Sequence, residues 1–126
     1  MPVVNNDSQH EFALPCLNRR TLAGPAHGMK SLELWGQTIE AGAATPVHRH
    51  ACEEAIVILE GRGRLTIEGE DTEFGPNSTL LIPADVVHQI INSGNTPMKL
   101  IGALNASSVK VRHADNRPMP LPWQAP

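Results

Sequence analysis

The chain has 126 residues, with 10 Lys plus Arg against 13 Asp plus Glu, for a net charge of -3. That length suits one domain burying a little under about 70% of its unfolded surface, and the absence of a basic run argues against a nucleic-acid partner. Its apolar stretches are far shorter than the roughly 20 residues needed to cross a bilayer, and residues 1–7 lack a charged-then-apolar signal pattern, so a soluble, cytoplasmic protein is expected.

Residues 1–30 hold one predicted strand, over 12–17, and then a loop rich in Gly, Pro and His at 23–28. Residues 31–39 read as a strand ended by Glu40-Ala41-Gly42-Ala43. Residues 54–59 and 64–68 flank the turn Glu60-Gly61-Arg62-Gly63 and predict a hairpin, with Arg62 and Arg64 solvated at its tip. Gly69-Glu70-Asp71 turns the chain into a short edge strand at 72–74, and 78–82 is a strand stopped by Pro83. The β-branched run 86–92 and the segment 98–104 bring the total to at least six strands, with no helical period between them. Prolines 118, 120, 122 and 126 exclude a central strand or helix near the end, leaving an extended tail that docks through Leu121 and Trp123. The chain therefore divides into an N-terminal arm (1–30), a single all-β barrel or two-sheet domain (31–111) and a Pro-rich tail (112–126).

The chemistry concentrates in His48-x-His50-x3-Glu54 and in His88. In extended backbone, residues two apart face the same way, so His48 and His50 point together, Glu54 shares their parity and Glu53 faces away. His88 must return from a distant strand to close the set. Three imidazoles and a carboxylate hold one divalent transition metal and leave positions open; with nitrogen and oxygen donors, Fe, Mn, Ni, Co and Zn are all candidates. His10, His27 and His113 fall outside this pattern. Cys16 and Cys52, without a spacing motif, read as free thiols, although Cys52 lies between two proposed ligands.

Gly42-x5-His48-x-His50-x3-Glu54-x6-Gly61 resembles the first conserved motif of the cupin superfamily, and Gly75-x7-Pro83-x-Asp85-x2-His88-x3-Asn92 is similar to the second. Asp85 departs from that pattern, which usually has glycine, but Asp tolerates the left-handed turn. The resemblance implies a small single-domain cupin barrel of the RmlC-like jelly-roll type, a double-stranded β-helix, and a homodimer. It also implies metal ligation by His48, His50, Glu54 and His88, while Asn92 reads as a structural hydrogen-bonder.

If Glu54 faces inward, so do Ile56 and Ile58, and His88 brings Ile90, giving an aliphatic pocket wall beside the metal. Gln37 or Thr38 supplies an orienting polar group, with His27 as a further candidate should its loop cover the mouth. Such a pocket suits a small, partly apolar ligand. The resemblance implies dioxygenase-like chemistry on a chelating enol or diol first, with Fe or Mn as the favoured metal. Redox-neutral isomerase, cyclase or lyase chemistry stands second, and a non-catalytic binding or sensing cupin remains in play.

Overall fold

Alternation along the strands sets the architecture. In Glu33–Ile39 the buried positions are Glu33, Trp35 and Ile39, and in Met98–Leu104 they are Met98, Leu100, Gly102 and Leu104, so each strand turns every second side chain inward. The computed structural model describes residues 2–123. Pro126, one of the prolines of the expected tail, lies outside the described residues.

Among the described residues there are eleven strands: β1 (Phe12–Leu14), β2 (Leu17–Ala23), β3 (Glu33–Ile39), β4 (Glu54–Glu60), β5 (Gly63–Ile67), β6 (Glu70–Phe74), β7 (Ser78–Ile82), β8 (His88–Asn92), β9 (Met98–Leu104), β10 (Val111–Arg112) and β11 (Pro118–Met119). A six-stranded sheet runs β1-β2-β3-β9-β4-β7 and a three-stranded sheet β6-β5-β8, with β10 and β11 forming a separate ribbon. Every pairing is antiparallel. The inner faces of the two large sheets meet in a core that includes Ile39, Ile56, Ile58, Leu80, Ile90 and Met98. This is the all-β cupin jelly roll that the sequence pattern implies.

Two expectations need correction. Residues 54–59 and 64–68 do not form a hairpin, because β4 pairs with β7 and β9 while β5 pairs with β6 and β8. The turn between them instead carries the chain from one sheet to the other. It does so at close quarters: Gly61 has φ of 96°, and a Cβ there would lie 2.9 Å from the Met98 Cα. The strand expected over 12–17 is likewise two strands, reversed at Pro15-Cys16 with Cys16 at φ 70°. Its second half, β2, pairs along β3 from Leu17↔Ile39 to Ala23↔Leu34, so part of the expected arm is an integral strand of the larger sheet. The polar run Asn18-Arg19-Arg20-Thr21 hid that strand, since its inward residue is the cation Arg19.

Beyond Arg112 no central strand or helix forms among the described residues. Leu121 and Trp123 dock on a second cluster made by Trp35, Leu104, Val109 and Val111. Both cysteines are free thiols.

Asn92 ends β8 as a fully buried amide. Its Nδ2 faces the carbonyls of Ile39 at 3.0 Å, Glu40 at 3.1 Å and Thr96 at 2.9 Å, and its Oδ1 accepts from the Gly94 amide at 3.0 Å. It thereby joins the end of β3 to the turn before β9. Asn92→Ala strips the donors from buried carbonyls and should cost roughly 2–4 kcal/mol, read as a lower urea midpoint; parental stability would assign the order of this turn to the backbone alone.

Candidate metal centre

The segment 43–48 reaches β8 through backbone pairing. Thr45 N–H donates to the Ile90 carbonyl at 2.9 Å, while His48 and His88 exchange both backbone hydrogen bonds, at 3.1 and 2.9 Å. Directly opposed residues of an antiparallel pair project side by side from one face, and the His48 and His88 ring centroids are 4.2 Å apart. His50, two residues on, returns to the same face with its ring 5.0 Å from that of His88. Glu54 opens β4 on the inner face of the other sheet, its Oε1 3.2 Å from His50 Nε2 and 3.9 Å from His88 Nε2. The four residues singled out by spacing thus converge. The candidate ligand atoms of the three imidazoles all lie within 4.8 Å of one another.

Hydrogen bonding orients every ring. Nδ1 of His48 faces the Pro46 carbonyl at 2.7 Å, Nδ1 of His50 the Cys52 carbonyl at 2.9 Å, and Nδ1 of His88 the Val86 carbonyl at 3.0 Å. A carbonyl only accepts, so each Nδ1 carries the donated proton and each Nε2 is left for another partner. His88 Nε2 is buried and has none. Burial, reinforced by neighbouring His48, holds the His88 pKa down at about 3, and burial also depresses that of His48. His50 differs: burial lowers its pKa, but hydrogen bonds to Cys52 and Glu54 outweigh this and raise it to about 10. Without a metal, a proton on His50 therefore faces the Glu54 carboxylate, while two bare imidazole lone pairs stand beside it.

A divalent cation fits this arrangement. It would give the orphaned His88 nitrogen a partner and take the place of the proton between His50 and Glu54. Gly102 of β9 makes room for the carboxylate, since a Cβ there would collide with Glu54 Oε2. Gly102 was not anticipated; an isolated glycine within a strand was the available signal of such a close approach.

A cavity of about 470 Å³ adjoins the centre, lined by His48, His88 and Glu54 together with the expected Gln37, Ile56 and Ile90. Ile58 does not line it; one pleat further along β4, it is wholly buried in the core. The wall is also not purely aliphatic, because Trp35 and Trp123 both contribute. Trp35 shares the parity of Gln37 on β3, whereas Trp123 arrives from the tail. His27 stays away from the mouth, bonded to the Gly24 amide at 3.1 Å and to Gln9 at 2.9 Å. Among the described residues, His10 and His113 join no such cluster.

Arg19 was not anticipated. It is 1% exposed, with its guanidinium carbon 3.4 Å from the Trp123 ring centroid and 4.1 Å from that of Trp35. Nη1 donates to Thr21 Oγ1 at 2.9 Å, while Nε and Nη2 have no partner. Burial lowers its pKa to about 9, against the raising effect of Glu33. The alternation Leu17-x-Arg19-x-Thr21 was the available signal.

The family model for auxin-binding proteins matches residues 1–123. Auxin-binding protein 1 of Arabidopsis thaliana is 36% identical over 124 residues, covering 88% of this chain and 63% of that protein. Auxin-binding protein T85 of Nicotiana tabacum is 38% identical over 135 residues, covering 95% of this chain and 72% of that one. The chain thus spans somewhat under two thirds of the first relative's length and somewhat over two thirds of the second's. Among solved structures, the polyketide cyclase RemF from Streptomyces resistomycificus superposes with a TM-score of 0.77 at 21% identity, over 90% of this chain and 84% of that one, a likeness of fold alone.

Gly102→Ala should leave a folded protein whose metal affinity falls roughly tenfold or more, because the Glu54 carboxylate is displaced while all three imidazoles remain. Competition against a chromophoric chelator measures this. Undiminished affinity would remove Glu54 from the ligand set.

Proposed function

The chain belongs to the auxin-binding protein family of the cupin superfamily, and we propose that it binds, without turning over, a small organic acid with a flat apolar body at a metal held by His48, His50, Glu54 and His88. A divalent ion in that set offers open coordination positions to a carboxylate. The rest of the ligand would lie in the cavity against Trp35, Ile56 and Ile90, with the Gln37 carboxamide as a polar contact. The aromatic walls can take a flat ring in offset or edge-to-face contact.

One observation carries this reading. Among the described residues that line the cavity, the titratable ones are His48, Glu54, His88 and the thiol Cys16. The two imidazoles and the carboxylate are committed to the centre, so beside the exposed Cys16 thiol the described wall presents no separate imidazole, carboxylate or amine as a general acid or base. Relatives named as auxin-binding proteins support the same direction, and an auxin-type arylacetate is the ligand class to try first.

The nitrogen and oxygen donor set, with room beside it, favours a second reading: oxidation of a chelating enol or diol by dioxygen, with Fe or Mn in the centre. The two readings separate in a pair of measurements. Titration calorimetry of the Zn- or Mn-loaded protein with indole-3-acetate should show binding that chelator treatment abolishes, that Gln37→Ala weakens severalfold, and that the corresponding carboxamide does not reproduce. Oxygen uptake by the Fe(II)-loaded protein with a catechol or diketone would instead establish turnover. Arylacetate binding that survives complete metal removal would overturn the proposed mode.

A further inference from the structure

Arg49 lies between two of the proposed ligands and faces away from them. Its backbone N–H donates to the Arg112 carbonyl at 2.9 Å and its carbonyl accepts from the Arg112 N–H at 2.8 Å, so the ligand segment is paired on its far side with β10. Its side chain crosses to Asp85, with Nε 3.3 Å from Oδ1 and Nη2 2.8 Å from the main-chain carbonyl, while Nη1 reaches the Ala114 carbonyl at 3.2 Å. Arg112 donates from Nη2 to the same Asp85 Oδ1. Asp85 in turn gives its backbone N–H to the His50 carbonyl at 2.8 Å, and it lies three residues before His88. One carboxylate therefore ties three stretches of chain together: the His48–His50 segment, the turn before His88, and the start of the C-terminal strap 111–123.

The strap is also a wall of the cavity. Val111, Met119, Leu121 and Trp123 line it, and Trp123 closes against Trp35 at 5.6 Å and against Arg19. Asp85 has φ of 65°, a left-handed conformation for which glycine would serve and Asp is tolerated. Glycine at this position would leave both guanidinium groups without their shared carboxylate.

We propose that Asp85, gripped by Arg49 and Arg112, is a positioning residue for the metal centre that couples metal binding to docking of the strap over the cavity. This rests on the metal-centre reading above. An exposed ion pair alone contributes little. Here, however, two guanidinium groups on Asp85, the exchanged Arg49–Arg112 backbone pair and the Asp85 N–H bond to the His50 carbonyl act together, so an ion that fixes His50 and His88 also fixes the seat of the strap. Linkage makes the effect reciprocal: the factor by which a docked strap raises metal affinity is the factor by which bound metal favours docking.

The protein contains two tryptophans, and both sit where the strap docks, so their emission reports it directly. The experiment titrates Zn(II) into wild type, Asp85→Gly, Arg112→Gln and Trp123→Ala, recording metal affinity by chelator competition and tryptophan emission, with circular dichroism to confirm folding. Asp85→Gly keeps the left-handed turn and removes only the carboxylate. It should weaken metal binding about fivefold or more and abolish the metal-induced emission change seen in wild type. Trp123→Ala should also weaken the metal, and its effect should shrink in the Asp85→Gly background because both act through one clamp; fully multiplicative losses would overturn the coupling. A folded Asp85→Gly protein with wild-type affinity and an undiminished emission change overturns the proposal outright. If Asp85→Gly does not fold, Arg112→Gln is judged by the same two criteria. Wild type that takes up no metal overturns the metal reading and the clamp with it, whereas metal binding indifferent to Asp85 overturns the clamp alone.

Discussion

The centre depends on the antiparallel pairing of segment 43–48 with β8. That ladder begins at Gly42 and Asn92, passes through Thr45 and Ile90, and sets His48 opposite His88. A slip of one residue would turn one imidazole out of the site, because side chains alternate with a period of two. Both ends of the ladder are pinned by groups outside it: Asn92 anchors one through carbonyls of the β3 turn, and the Asp85 N–H fixes the other on the His50 carbonyl. The register is therefore held by polar bonds whose loss leaves unsatisfied partners, together with the inward apolar residues that a slip would turn to solvent.

What was legible follows from that periodicity. His48, His50, Glu54 and His88 announce themselves by parity and by the turn residues around them, and the left-handed conformation of Asp85 follows from the side chains that tolerate it. β7 and β9 match the expected segments because Pro83 and the turn Ser93-Gly94-Asn95-Thr96-Pro97 bound them sharply. Partner choice was not legible in the same way. β4 and β5 look like a hairpin because two alternating runs around a glycine turn carry no mark of which sheet each will join. The turn's close contact, Gly61 against Met98 at the start of the neighbouring β9, is with a residue distant in sequence. Ile58 shows a related limit: parity gives the face of a strand but not the depth along it, so an inward residue can fill the core rather than the pocket.

Arg19 marks the sharpest departure from composition-based reading. A cation buried at 1% exposure needs compensation, and here two indole faces and the field of Glu33 provide it in place of a full set of hydrogen bonds. Glu33 is itself occupied, accepting from Trp35 Nε1 at 2.8 Å and from the Val109 amide at 2.8 Å. A desolvated cation over an indole is stabilised by about 2 kcal/mol, so Trp123 has reason to remain docked even though its flanking prolines cannot donate to any ladder. The tail is thus held by side-chain chemistry at one end and by the Arg49 and Arg112 bridge at the other. This is how a segment unsuited to regular structure becomes a wall of the cavity.

That wall bears on what the cavity can do. Catalysis of proton transfer requires a group within reach of the ligand that is free to gain or lose a proton. Here each Nδ1 proton is committed to a backbone carbonyl, and the Nε2 atoms and Glu54 are turned toward one another. Apart from the exposed Cys16 thiol, the remaining lining is apolar or carries neutral amide and hydroxyl groups, as at Gln37, Thr45 and Gln89. Gln89 is in turn engaged with the Thr45 carbonyl at 2.9 Å, which leaves the Gln37 carboxamide as the amide free to meet a ligand. With a metal held at one end, an enclosure of two indoles, aliphatic sides and the Gln37 amide would discriminate by shape and charge. Under the proposed binding role those four features together would select an anionic head on a flat body, with no change required of the bound molecule.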